Sequence, residues 1–113
     1  MDILLVLKII AAVATIATGL LALLKPAATF GFIGLRADGA RGISEIRSIF
    51  GGLFIALGVV PLIFAGVVYQ VLGIGYLAIA AARAFSIVFD RSYERSNWIS
   101  LGIEIVLGII LVI

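Results

Sequence analysis

The sequence predicts an all-α, integral membrane four-helix bundle, up-down-up-down with short loops, and three observations carry that expectation. Hydrophobic residues make up 65% of the 113-residue chain and charged residues only 12%. The mean hydropathy is +1.38. The apolar residues also fall into long uncharged runs separated by short polar ones. A soluble domain carries roughly twice that charged fraction, and a core of this size could not hide so much apolar surface, so lipid is expected to cover it. The length leaves room for a single transmembrane domain over residues 1–113.

The first expected span is 3–24, about 33 Å of helix against a hydrocarbon core of roughly 30 Å. It is broken only by Lys8. It exceeds the roughly 7–15 apolar residues of a signal peptide and opens on an acidic residue, Asp2, so it reads as a retained span. Lys25-Pro26 ends it, because proline cannot continue a helix and turns the residue before it away from helical angles. Residues 27–42 mix Phe30, Phe32, Ile33 and Leu35 with glycines and charges, which suits an interfacial connection with a turn at Ala37-Asp38-Gly39.

From Ile49 to Ala82 no charge occurs. As one helix this run would be about 51 Å long, too long for a bilayer. It must fold back, with Pro61 and Gly66 marking the reversal. Spans two and three are then about 43–64 and 69–89. After the polar loop Asp90–Asn97, Trp98 opens a short fourth span, about 98–113. The two polar loops hold Lys25, Arg36, Arg41, Arg91 and Arg95, against Lys8 alone on the other side. The positive-inside rule therefore puts the loops in the cytoplasm and both termini outside.

Function has to be sought among the charges inside the spans. Glu45, Arg47, Arg83 and Glu104 all fall toward the cytoplasmic end. Arg83 and Glu104 lie about 9–10 Å deep, Glu45 and Arg47 roughly one turn deep. A lone charge at such depth costs at least ~2.5–3.5 kcal/mol, so pairing is expected. Glu45 and Arg47 are about 200° apart on an α-helix and cannot share a partner. One arrangement joins Glu45 to Arg83 and Arg47 to Glu104. The bland alternative has Glu45 pairing with Arg41 one turn earlier and Arg47 snorkelling to headgroups. Stripes through Tyr76, Arg83, Ser86 and Asp90, and through Asn97, Ser100 and Glu104, would with Ser48 line a polar seam open to the cytoplasm. Ala11, Thr15 and Gly19, and Gly51 and Gly58, supply small faces for close helix packing.

The chain has no cysteine and no histidine, which removes disulfides, thiol chemistry and the commonest metal ligands; no metal or cofactor is expected. A net charge of +2 is too small to imply nucleic acid.

Glu45-Ile46-Arg47-Ser48-Ile49-Phe50-Gly51-Gly52, then Ala82-Arg83-Ala84-Phe85, Asp90 and Glu104, resemble a family of small bacterial four-span membrane proteins of unknown function, related to the DoxX-like superfamily. Phe50 stands where that pattern leads one to expect tyrosine. The resemblance implies a four-helix membrane bundle with an intramembrane charged site, in the bacterial plasma (inner) membrane, and no activity. The leading expectation is a non-enzymatic accessory subunit or a binder of a lipid or small amphipathic molecule. The alternatives are a small proton- or ion-coupled transporter and, last, a lipid- or quinone-modifying enzyme. The expected partners are membrane lipids, a lipid or quinone-like ligand, and a homo-oligomer or larger membrane complex.

Overall fold

The computed structural model describes residues 2–113 and is all-α among them. Four helices are long and apolar enough to cross a membrane: α1 (Ile3–Leu24), α2 (Ala40–Phe64), α3 (Val67–Phe89) and α4 (Arg95–Val112). They run up-down-up-down as a bundle, and their length and composition mark a multi-pass membrane protein.

The helix ends follow from local chemistry. The Asp2 carboxylate accepts from the Leu4 N–H at 3.3 Å and caps the start of α1. Lys25, held at ψ 67 before Pro26, closes it. The connection to α2 is a 3₁₀ turn (Pro26–Thr29) and a single helical turn (Phe30–Ile33) that ends on Gly34 at φ 74. The turn expected at Ala37-Asp38-Gly39 does not form. Residues 35–38 run without turn structure, and only Gly39 bends, at φ 151, immediately before α2.

The long uncharged run reverses at Ala65-Gly66, whose positive φ values of 53 and 57 turn the chain back within two residues. Pro61 lies inside α2, and its carbonyl accepts from the Ala65 N–H at 2.8 Å. It therefore sits one turn before the reversal and does not make it.

Helices α2, α3 and α4 begin at Ala40, Val67 and Arg95, two or three residues before the expected starts near 43, 69 and 98. Hydropathy marks only the apolar part of a helix, whereas backbone hydrogen bonding continues through Arg41, Gly42 and Arg95-Ser96-Asn97. Within α2, residues Ile46–Leu53 are π-helical, wider than an α-helix.

The helices pack as two hairpins, α1 on α2 and α3 on α4, with sparser contact between the pairs. Small residues let each pair close. A Cβ added at Gly58 would lie 2.6 Å from the Ala12 carbonyl oxygen, and one at Gly19 would lie 2.8 Å from that of Gly51. In the second hairpin, a Cβ at Gly73 would meet the Leu111 side chain at 2.7 Å. The hairpins meet through Ala11, Ala12, Tyr69, Leu72 and Leu111, toward the end that carries the termini. Midway along, the Thr15 hydroxyl, which also donates to the Ala11 carbonyl, is hydrogen-bonded to the Tyr76 hydroxyl across the hairpin interface. The opposite end, with the polar loops, is where the bundle stays open.

Candidate functional site: a polar recess beneath the connection after α1

Arg83 projects from α3 about 9 Å inside its C-terminal end. Opposite it, on α4, Glu104 is buried, with 9% of its surface exposed. The two form a bidentate ion pair: Arg83 Nε donates to Glu104 Oε1 at 2.8 Å, and Nη2 to Oε2 at 2.7 Å. This geometry satisfies both oxygens of a carboxylate that lipid and apolar side chains would otherwise strand.

The pair is the inner end of a longer network. Arg83 Nη1 donates to Asn97 Oδ1 at 2.7 Å, and Asn97 Nδ2 donates to the Ser92 carbonyl and hydroxyl. The Ser92 hydroxyl in turn donates to Glu94 at 2.8 Å. The Glu94 carboxyl, outside the span, is held below its usual range chiefly by that hydroxyl, with a backbone hydrogen bond adding to the effect. Hydrogen bonds thus run without a break from Glu104, deep in the bundle, to Glu94 at the surface.

Above the pair is a recess of about 470 Å³. Arg83, Ser86, Ser96, Asn97 and Ser100 supply its polar side, and Ser92 and Glu94 its rim. The other side is apolar: Gly31, Phe32, Ile33, Gly34 and Leu35 of the connection after α1, and Phe50 of α2. Of the five N–H groups of a guanidinium, Arg83 commits three to Glu104 and Asn97, which leaves two on a side chain that borders the recess.

The charges singled out in the sequence separate in the structure. Arg83 and Glu104 come together, and Ser86 and Ser100 stand beside them on the recess wall. Glu45 does not reach Arg83. It pairs with Arg41 one turn away, on an exposed face of α2. Arg47 does not reach Glu104. It is exposed and donates to the backbone carbonyl of Leu23, near the end of α1 where carbonyls lack helical partners. Ser48 is exposed, outside the recess, and Tyr76 faces Thr15 a turn or two below it.

The sequence reading puts Asn97 on the polar seam without naming its partner, and it does not bring the connection after α1 to the site. The Arg83–Asn97 contact has a usable signal, since Asn97 lies in the first turn of α4 and Arg83 less than two turns from the end of α3, across one short loop. The residues 31–35 carry no periodicity that would have pointed them at a site.

A family described as a domain of unknown function, DUF4345, matches residues 3–113. The chain belongs to that family. Neither a curated protein nor a solved structure matches it. Membership leaves the activity open, so the functional reading rests on the recess and its chemistry.

Proposed function

We propose that this DUF4345 protein is a non-enzymatic membrane module that binds a lipid or another small amphipathic molecule, quinone-like ones included, in the recess over Arg83 and Glu104. The observation that carries the reading is the two-sided lining. One wall offers hydroxyls, an amide and free guanidinium N–H groups, and the other offers Phe32, Ile33, Leu35 and Phe50. A few convergent polar groups against an apolar wall are what orient and bury an amphipathic ligand.

The competing readings draw less support. A proton-coupled transporter needs a carboxylate free to exchange its proton, and both Glu104 oxygens are engaged by Arg83. An enzyme acting on a lipid or quinone would need a base beside its nucleophile. The serines of the recess have no histidine to serve them, the two that donate to a carboxylate (Ser86 to Asp90 and Ser92 to Glu94) do so in exposed contacts, and Arg83 is occupied by Glu104 and Asn97. An accessory role in a larger membrane complex or homo-oligomer is compatible with ligand binding. In this reading the protein lies in a bacterial plasma membrane, distantly related to the DoxX-like superfamily. The recess faces the cytoplasm and both termini lie outside, as the basic loop residues Lys25, Arg36, Arg41, Arg91 and Arg95 favour.

The test is the small molecule that copurifies from native membranes, weighed by mass spectrometry for wild type and for Gly31→Leu. Gly31 borders the recess, and a Cβ there meets nothing within 4 Å, so leucine fills the recess without straining the fold. A lipid-sized mass retained by wild type and lost from Gly31→Leu is the expected result. Equal retention by both, or none by either, overturns the proposal.

A further inference from the structure

Immediately below the recess is a second, smaller void of about 60 Å³, between α2 and α3. Its walls are apolar: Phe54 and Leu57 of α2, and Val71, Leu72, Gly75 and Ile79 of α3, with Thr15 and Tyr76 at the back. On both helices these walls continue those of the recess. Phe54 lies one turn below Phe50, with ring centroids 6.3 Å apart, and Ile79 lies one turn below Arg83. The α2–α3 seam is sparsely packed compared with the seams inside either hairpin. From Arg83 down to Val71 the groove runs about 18 Å, against a single leaflet's share of roughly 15 Å of hydrocarbon.

The charge at the top restricts what can enter. Arg83 is matched by Glu104, and Glu94 adds a carboxylate at the rim, so these groups together carry no positive excess for an anion. What they offer is hydrogen-bond donors: the two uncommitted guanidinium N–H groups and the hydroxyls of Ser96 and Ser100.

Resting on the binding function proposed above, we infer that recess and groove form one continuous site for a lipid with an uncharged, oxygen-rich head and a single hydrocarbon chain. The head accepts hydrogen bonds from Arg83 and the serines. The chain lies between α2 and α3 against Phe54, Leu57, Gly75 and Ile79. A phosphate head would meet Glu94 and an already neutralised arginine, and the void between α2 and α3 gives a place for one chain.

Gly75 makes the inference testable. It borders the groove, yet a Cβ there meets nothing within 4 Å, so Gly75→Leu fills the chain position while leaving the helix contacts intact. Gly102→Leu is the matched control, equally unobstructed and outside both voids. The proteins are placed in phosphatidylcholine nanodiscs without detergent, and retained probe is counted by native mass spectrometry. The probes are monopalmitoylglycerol, lysophosphatidylglycerol with the same chain, and dipalmitoylglycerol.

Wild type and Gly102→Leu are expected to retain one monopalmitoylglycerol and at least tenfold less of either other probe, with Gly75→Leu and Gly31→Leu each losing at least tenfold. Retention by Gly75→Leu with loss in Gly31→Leu overturns the shared groove but leaves the recess as a binding site. Equal or better retention of lysophosphatidylglycerol overturns the uncharged head, and of dipalmitoylglycerol the single chain. Retention unaffected by either substitution, or no retention of any probe, overturns the inference and the binding function together.

Discussion

Deleting one member of the Arg83–Glu104 pair should cost more than deleting both, and the two members should not be equal. Glu104 is 9% exposed and has both oxygens on Arg83, so Arg83→Leu strands a carboxylate in an apolar interior. Removing one partner of a buried pair costs about 3–5 kcal/mol, and the neighbouring recess, which admits water, puts this case at the lower end, about 3 kcal/mol. Glu104→Gln is milder. The Arg83 side chain is 30% exposed, keeps Asn97 as an acceptor, and gains an amide oxygen, for a loss of about 1–2 kcal/mol. The double variant Arg83→Leu/Glu104→Gln removes both charges and should regain about 2 kcal/mol of the Arg83→Leu loss. Unfolding free energies from SDS titration in mixed micelles measure all four corners of the cycle. Single variants within about 0.5 kcal/mol of wild type, with no coupling in the double, would refute the idea that the pair is energetically joined.

Other outcomes follow from the packing and the loop. Gly58→Ala and Gly19→Ala drive a methyl into backbone carbonyls of the facing helix and should each lose about 1–3 kcal/mol in the same titration, whereas Gly102→Ala, which meets nothing, should be neutral or gain up to about 1 kcal/mol. Tyr76→Phe removes the Thr15 hydrogen bond between the hairpins and should cost about 1 kcal/mol, with Thr15→Val adding little on top. Because the Glu94 carboxyl titrates below its unfolded value, its contribution to stability is full above the unfolded pKa and disappears as the pH falls through the folded one. Ser92→Ala should move the Glu94 midpoint upward in an NMR titration, and an unmoved midpoint would show that the Ser92 hydroxyl is not its cause.

Hydropathy made the four helices legible because a spanning helix must satisfy its backbone internally and cover itself in apolar side chains. The close faces were legible for a related reason: Ala11, Thr15 and Gly19 recur at helical spacing, and so do Gly51 and Gly58. Arg83 and Glu104 stood out because charges at such depth require partners. The cross-helix partners set out for Glu45 and Arg47 do not form, for two physical reasons, whereas the local alternative that joins Glu45 to Arg41 does. Helix α2 begins five residues before Glu45, which leaves that side chain in a polar, exposed turn beside Arg41. Arg47 lies in the π-helical stretch, where the angular step of an α-helix no longer applies. The apolar wall of the recess was not legible at all. Residues 31–35 reach it by tertiary placement, and a short aperiodic connection gives no sign of what it will cover.

The widened turn of α2 also bears on how the chain tolerates change in length. A π-helical stretch carries more residues than the α-helix it interrupts, so Ile46–Leu53 holds slack that α1, α3 and α4 lack. Removing a single residue at Ile49, which is exposed and touches neither void, would let the stretch tighten toward α-helical pitch while Gly58 stays against Ala12. The same deletion in α3 would turn Arg83 by about 100° relative to Gly73 and Tyr69 and carry it off Glu104. Shortening by one residue should therefore be survivable at that one place in α2 and ruinous in α3.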